Sequence, residues 1–322
     1  MPGGLALHEQ ELRSRFAAAD FLRSCDQAFY LYGQGVLRNP PRSEEVARQG
    51  QEDHIRLDMT AEWPGRYRSR KTIEERSDVR TGRLASRRAV LLLEDLVRDV
   101  QVEMDAGYLT DMRTGAAGAL GIGYLAEAPV RRVGIVGTGR IGQSLALAVD
   151  RLFELDELRV TSRNPDNRRA FARRLGRQLR APLHMAADLV SCLEGMDGAL
   201  LAVPTPEPIL DMAAVSEGML LAVMAGDRRT RQVAPEVLEQ VGVLVDHLEQ
   251  ASKSGEFVHA EQTGRLAHVR LAREPSGRVL DIGDAACGRL EGSAPRPRLA
   301  YFTGMAAQDL CAAAFIYETM GI

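Results

Sequence analysis

The spacing of apolar positions divides the chain into three regions. From residue 9 to 33 they recur at helical intervals, with Phe16, Phe21 and Leu22, then Ala28, Phe29 and Leu31, until Pro40-Pro41 closes the region. Residues 53–105 read as strands: Val90-Leu91-Leu92-Leu93 is a continuous apolar run, and Val100 to Met104 alternates apolar with polar. Residues 110–125 are rich in Ala and Gly, with Leu120 and Ile122, and predict a tightly packed helix. From residue 131 onward the pattern is strand, helix, strand, helix. Its strands are Val133–Val136, Leu158–Val160, Gly198–Val203, Met219–Val223 and Val241–Val245, and Pro165–Leu179 is a helix with a basic outer face. Strands alternating with helices at this spacing predict an α/β fold with a doubly wound parallel sheet, whose ligand lies at the carboxyl ends of the strands.

The first of those strands runs into Gly137-Thr138-Gly139 and then Gly142, giving G-x-G-x-x-G at a strand-to-helix turn. The three glycines serve separate purposes: a tight turn, close approach of backbone to a pyrophosphate, and close packing of helix on strand. The helix N-terminus then offers N–H groups and the positive end of its dipole to phosphate. The motif alone is weak evidence, but here it sits in the strand–turn–helix context that it requires. A Rossmann dinucleotide site is therefore expected.

Composition changes this picture little. The 322 residues suggest two domains, and 45% hydrophobic with 26% charged residues is ordinary for a globular chain. A net charge of −3 speaks against nucleic acid or a membrane surface as partner. No apolar run reaches the roughly 18 residues of a transmembrane helix, and the N-terminus lacks a signal-peptide pattern. Cys25, Cys192, Cys287 and Cys311 show no C-x-x-C spacing and the six histidines no metal spacing, so buried thiols in a reducing, cytoplasmic setting and no metal are expected.

The second strand decides which nicotinamide cofactor is expected. A carboxylate at its end would accept hydrogen bonds from a ribose 2′-hydroxyl. Here it ends Val160-Thr161-Ser162-Arg163-Asn164, with a hydroxyl, a guanidinium and an amide in that place. These suit a 2′-phosphate, so the reading favours NADP(H), with NAD(H) the alternative. The cofactor contacts expected are Gly137, Thr138, Gly139, Arg140, Ile141, Ser162, Arg163, Asn164, Val203 and Thr114.

The segment LTDMRTGAAGALGIGYLA (109–126) resembles the Leu-Thr-x-x-Arg-Thr-x-Ala-x-x-Ala-Leu motif of the ornithine cyclodeaminase/mu-crystallin family. In the same order, NPPRS (39–43) is similar to that family's Pro-Pro-Arg element, EPIL (207–210) follows the fourth Rossmann strand, and TGMAAQDLCAAAFIYE (303–318) resembles the closing motif Gly-x-Ala-x-Gln-Asp-x-x-x-Ala. The resemblance implies a strand-rich dimerisation and substrate domain (1–125 and 300–322) completed by the C-terminal helix, a Rossmann domain (126–299) and a homodimer. It also implies a carboxylate clamp of two arginines and a lysine, carried over to Arg113, Arg42 and Lys71. The stretch YRSRKTI departs from the family pattern, which leaves Arg68 and Arg70 as alternatives to Lys71. A planar guanidinium holds a carboxylate bidentately and so fixes the adjacent carbon.

Two features bear on the reaction. Residues 66–88 hold Arg66, Arg68, Arg70, Lys71, Arg76, Arg80, Arg83, Arg87 and Arg88, which read either as a solvated strand face or as recognition of a second substrate carboxylate. Cyclodeaminases of the family need an aspartate after the fifth Rossmann strand. In AVMAGDRRTRQVAPEVL (222–238) that place falls on Gly226 or, with a one-residue shift, on Asp227, and the family's Pro-Gly-Lys is replaced by Arg228-Arg229-Thr230. The expected function is therefore NAD(P)H-dependent reduction of an imino acid, or oxidation of an amino acid or N-substituted amino acid, with Lys71 and Asp227 as candidate catalytic residues. The alternatives are a cyclodeaminase-type lyase using bound NAD+ catalytically, and a non-catalytic nucleotide-binding protein.

Overall fold

Alternation of buried and exposed residues builds the first of two sheets. The computed structural model describes residues 5–78, 84–226 and 228–321, and the chain divides into one unit of Met1–Arg113 with Met305–Ile322 and another of Thr114–Gly304. The first unit runs β1 (Leu5–Leu7), α1 (Glu9–Arg15), α2 (Ala18–Gly33), β2 (Ser43–Gln49), β3 (Glu52–Trp63), β4 (Tyr67–Asp78), β5 (Leu84–Asp95) and β6 (Val100–Asp105), then enters α3 (Ala106–Leu125), inside which the boundary falls. Its six-stranded sheet has the order β1-β6-β5-β4-β3-β2, antiparallel except for the β1–β6 pair. Along β4, Tyr67, Ser69, Lys71 and Ile73 are buried while Arg68 and Arg70 are exposed, the period of two expected of a half-buried strand.

The helical spacing over 9–33 resolves into two helices rather than one. Phe16 and Ala17 are extended, and the Ala17 N–H donates to the Asp20 carboxylate at 2.9 Å, so Asp20 starts a new helix.

The second unit runs β7 (Arg132–Val136), α4 (Arg140–Leu152), β8 (Glu157–Thr161), α5 (Pro165–Leu175), β9 (Leu183–Met185), α6 (Leu189–Leu193), β10 (Gly198–Leu201), β11 (Leu220–Met224), α7 (Pro235–Gln240), β12 (Gly242–Val245), α8 (Leu248–Ala251), α9 (Gly255–Gln262), α10 (Ile282–Ala286) and β13 (Pro297–Phe302). The chain then returns to the first unit as α11 (Ala306–Met320). All seven strands are parallel, in the order β12-β13-β11-β10-β7-β8-β9. Spacing alone did not reveal β9, which is only three residues long, or β13. The latter opens Pro297-Arg298 and reads as loop, yet Leu299, Ala300 and Tyr301 are fully buried between β11 and β12. A proline is tolerated at the first residue of a strand, where its missing N–H matters least.

Three element ends differ from expectation by two residues or more. The α5 helix stops at Leu175, capped by Gly176, rather than at Leu179. β10 stops at Leu201 rather than Val203 because the Val203 N–H leaves the ladder to donate to the Gln232 side chain at 2.8 Å. α3 begins four residues earlier than expected, at Ala106.

Within the second unit, α3 packs through glycine. A Cβ on Gly115 would stand 2.4 Å from the Ser144 backbone, one on Gly118 2.4 Å from Leu145, and one on Gly121 2.7 Å from the Phe302 ring. At Gly123 the nearest atoms lie at 3.6–3.9 Å, ordinary contact. Alanine is favoured over glycine in a helix by about 1 kcal/mol, whereas overpacking against backbone costs about 1–3 kcal/mol. Gly115→Ala is therefore expected to destabilise the protein and Gly123→Ala to stabilise it, opposite shifts in a urea-denaturation midpoint from the same substitution on one helix.

Candidate active site

The strand-end residues of the second unit form a phosphate-shaped turn. Gly137 has φ +124°, and a Cβ there would lie 2.5 Å from the Ala202 carbonyl oxygen. A Cβ on Gly142 would lie 1.9 Å from the Gly137 oxygen, so neither position accepts a side chain. At Gly139 the added Cβ would meet nothing within 4 Å, and Gly139 starts α4 without a side-chain cap. Open space beside an uncapped, thirteen-residue helix start fits a pyrophosphate. The Gly137 N–H donates to the Thr161 carbonyl at 2.9 Å and ties this turn to the end of β8.

Ser162 and Arg163 follow that strand end and, with Val136, Thr161, Val203 and Asp188, line a cavity of about 360 Å³. Val203 and the glycine turn, candidates from separate parts of the sequence, thus meet at one end of the sheet. Arg163 is exposed and has no ion-pair partner among the described residues. The Arg168 guanidinium donates to the Ser162 carbonyl and holds this loop. Asn164 also shapes the following helix, since its side-chain oxygen caps α5 by accepting from the Asp166 N–H at 2.8 Å. Asp188, a carboxylate in the cavity wall, caps α6 and is held below the usual carboxylate range by the Ser191 N–H and hydroxyl. Thr138 lines an adjacent cavity with Gln143 and Arg174.

A buried polar network, absent from the sequence candidates, holds the neighbouring strand ends. The Gln232 side chain accepts from the Val203 N–H and donates to the Met224 carbonyl, both at 2.8 Å, bridging the ends of β10 and β11. The Gln232 N–H donates to Glu256 at 2.7 Å, and the other Glu256 oxygen accepts from the Tyr301 hydroxyl at 2.6 Å. Burial pushes the Glu256 carboxyl up, against the pull of these donors. Asp246, at the end of β12, accepts from the N–H groups of His247, Thr303 and Gly304 and from the Thr303 hydroxyl. The signal for Asp246 was a carboxylate directly after the apolar run 241–245, where only a fully hydrogen-bonded acid is tolerated. Asp227 lies outside the described residues.

In the first unit, β4 and α3 present Lys71 and Arg113 to one residue of α11. Lys71 Nζ stands 2.6 Å from Asp309 Oδ2, with both side chains fully buried. The contact is a close ion pair whose angles depart from those of a well-aligned hydrogen bond, and among the described residues no other acceptor meets Nζ. Arg113 Nε donates to Asp309 Oδ1 at 3.0 Å and its Nη1 to Gln308 Oε1 at 3.2 Å, while Nη2 has no partner among the described residues. Two cations therefore share one carboxylate. Burial, then the neighbouring Arg113 charge, pushes the Lys71 ammonium down to about 7, against the pull of Asp309. A buried thiol adjoins this cluster: Cys25, pushed up to about 12 by burial, accepts from the Gln308 amide at 3.2 Å.

The other basic candidates stand elsewhere. Arg42 is half-buried and pairs with Glu44 at 3.9 Å, not with Asp309. Arg66, Arg68 and Arg70 pair with Glu318, Glu94 and Asp58, and Arg87 with Glu75. Arg68 and Arg70 are exposed, on the strand positions alternate to Lys71, so geometry separates Lys71 from both. Arg80 and Arg83 lie outside the described residues. Among the described residues no group of His, Cys, Asp and Glu could hold a metal ion, and no helix is long and apolar enough to cross a membrane. Asp309 was not among the sequence candidates, although it stands in the Gln-Asp of the closing motif.

A seven-stranded parallel sheet with this glycine turn defines the class: a protein with a Rossmann-like nucleotide-binding fold. Residues 6–321 match the ornithine cyclodeaminase/mu-crystallin family, and the chain belongs to it. It is 25% identical over 319 residues to the alanine dehydrogenase of Archaeoglobus fulgidus, covering 98% of this chain and 94% of that protein. Its fold is similar to that of the Thermococcus litoralis Δ1-pyrroline-2-carboxylate reductase solved with NADH and L-proline (TM-score 0.85, 21% identity, 99% and 98% of the two chains). It is similar also to a probable ornithine cyclodeaminase from Bordetella pertussis Tohama I (TM-score 0.77, 21% identity, 99% and 97%).

Removing one partner of a buried ion pair costs about 3–5 kcal/mol, while an exposed pair contributes at most about 1 kcal/mol. Asp309→Asn is therefore expected to lower the unfolding free energy by about 3 kcal/mol or more. Glu94→Gln, which breaks the exposed pair with Arg68, should change it by less than about 1 kcal/mol, both read from denaturant titrations.

Proposed function

We propose that the chain is an NAD(P)H-dependent reductase of imino acids, or in reverse a dehydrogenase of amino or N-substituted amino acids. The observation that carries this reading is the buried Lys71–Asp309–Arg113 cluster. With Lys71 protonated it has one cation more than it has anions, and a further anion stabilises that state in a dry site. A substrate carboxylate supplies it. Arg113 Nη2 receives one carboxylate oxygen, and Lys71 Nζ, whose three donors meet only Asp309 among the described residues, receives the other. Asp309 and Gln308 hold the guanidinium plane in place, so the carbon next to the carboxylate is fixed. The glycine turn and the Ser162–Arg163 loop would hold the cofactor. When bound, a nicotinamide dinucleotide supplies or accepts hydride. Lys71, with its proton loosely held near neutral pH, can give a proton to the substrate nitrogen or take one from it.

NADP(H) is the cofactor favoured. Among the described residues Arg163, in the cavity wall, has no ion-pair partner, and no carboxylate ends β8. Asp188 in the same wall opposes this, although one of its oxygens is engaged by the Ser191 N–H and hydroxyl. Similarity to a probable ornithine cyclodeaminase supports a second reading, a lyase that uses NAD+ without consuming it. The replacement of Pro-Gly-Lys by Arg228-Arg229-Thr230 weighs against it.

The test is absorbance of the reduced cofactor with NADPH and NADH against cyclic imino acids and against 2-oxo acids with amines. Stoichiometric NADPH consumption with one substrate is expected; ammonia release from ornithine with catalytic NAD+ would establish the lyase instead. A charge-assisted hydrogen bond is worth about 1.5–3 kcal/mol, so Arg163→Ala should raise the KM for NADPH by about tenfold or more and leave that for NADH within about twofold.

Lys71 adds a pH signature. Free Lys71 is mostly neutral above pH 7, and a bound carboxylate favours its charged form. Binding of the substrate found in that panel at pH 8 should therefore take up close to one proton. Calorimetry in two buffers of different ionisation enthalpy reads this uptake, and Lys71→Met should abolish it.

A further inference from the structure

The amino ends of the Rossmann strands carry a second cavity, remote along the same sheet from the glycine turn. It measures about 600 Å³ and lies at the starts of β7, β10, β11 and β13, beside the end of α3. Leu125, Val130, Met196 and Met219, all nearly buried, supply an apolar wall. Three arginines also line it, and they differ in what they already hold. Arg132 pairs with Asp197 at 3.4 Å, and that carboxylate also accepts from the Arg131 and Arg132 N–H groups at 2.8 Å. Arg296 pairs with Glu127 at 2.6 Å. Arg298, on β13, has no ion-pair partner among the described residues, and its Nη1 is buried without a hydrogen-bond partner. The remaining charge in the lining, Glu217, is exposed and therefore solvated.

We propose that this cavity binds a small organic carboxylate with an apolar body, held by the Arg298 guanidinium. Arg298 lines the cavity as a cation with no ion-pair partner among the described residues, and the anion that best matches a planar guanidinium is a carboxylate. The volume falls within the usual range of small-molecule pockets, about 300–1,000 Å³, and exceeds what a bare inorganic anion fills. The half-apolar wall selects against such an anion and for a carboxylate carrying an aromatic or branched group. None of the residues that hold it belongs to the proposed cofactor or substrate clamp, so the site is a second one, independent of turnover.

The probe is 4-fluorobenzoate, read by broadening of its fluorine NMR line on titration with the intact protein. Two variants locate the binding: Arg298→Gln removes the cation, and Ala128→Trp, at an exposed position of the lining, fills the mouth without touching the core. Dinucleotide binding, followed by nicotinamide fluorescence, serves as the folding control for both. The expected result is broadening by the intact protein that falls at least twofold in each variant; any part due to the Arg113 clamp survives both. The proposal is overturned if the intact protein causes no broadening, in which case water alone occupies the cavity. It is equally overturned if either variant broadens the line as much as the intact protein does.

Discussion

A buried carboxylate shared by two buried cations is the constraint on which the first unit depends. Desolvating three charges costs several kcal/mol for each, and attraction repays it only if the geometry is kept. Keeping it requires three elements to meet at one point: β4 must place Lys71 on the buried face, α3 must present Arg113, and α11 must bring Asp309 between them. The register of β4 is thereby fixed more firmly than by its apolar residues alone. A slip of one residue would bury Arg70 or Thr72 and expose the lysine. The chain's return to the first unit through α11 is thus an electrostatic requirement as well as a packing one.

The second unit solves a related problem by different means. Strands of a parallel sheet end in backbone groups that have no ladder partner, and a ligand site at those ends must not let them collapse. Gln232 takes the N–H of Val203 and the carbonyl of Met224, and Asp246 takes three N–H groups at the ends of β12 and β13. Both side chains are buried, and apart from the Thr303 hydroxyl on Asp246 these partners are main-chain atoms, so the strand ends are tied together without a side chain covering the glycine turn. Polar burial here keeps a surface open.

Legibility in the sequence followed the range of the physics involved. The glycine turn was readable because what each glycine does is local, set within six residues. The parallel sheet was readable from strands of four or five apolar residues. Strand β13 was not, because its interior position depends on neighbours from elsewhere in the chain while its own start, Pro297-Arg298, carries the marks of a loop. Lys71 could not be separated from Arg68 and Arg70 by composition; the pairing of β4 with β3 and β5 separates them by alternation. Asp309 was visible as a motif residue, but its role depends on partners 196 and 238 positions away, a distance at which no periodicity speaks. The basic density over 66–88 allowed two readings, and cross-strand acids at Asp58, Glu75 and Glu94 answer for much of it.

The surplus cation explains why such a cluster suits a binding site better than a structural one. A neutral buried pair is complete and gives a ligand little to add, whereas two cations on one carboxylate leave a charge unmet. The protein lowers the cost of that state by letting the Lys71 proton leave, which its burial and the nearby guanidinium both favour. On the proposed reading, an arriving carboxylate would reverse the balance: it would restore the proton, meet the donors of Nζ and Nη2 that Asp309 leaves open, and make the cluster neutral. In that reading the same lysine that tolerates emptiness by losing its proton would become, once the site is filled, an acid poised beside the substrate. Replacing Lys71 by arginine, which cannot shed its proton, would remove that tolerance while keeping the charge.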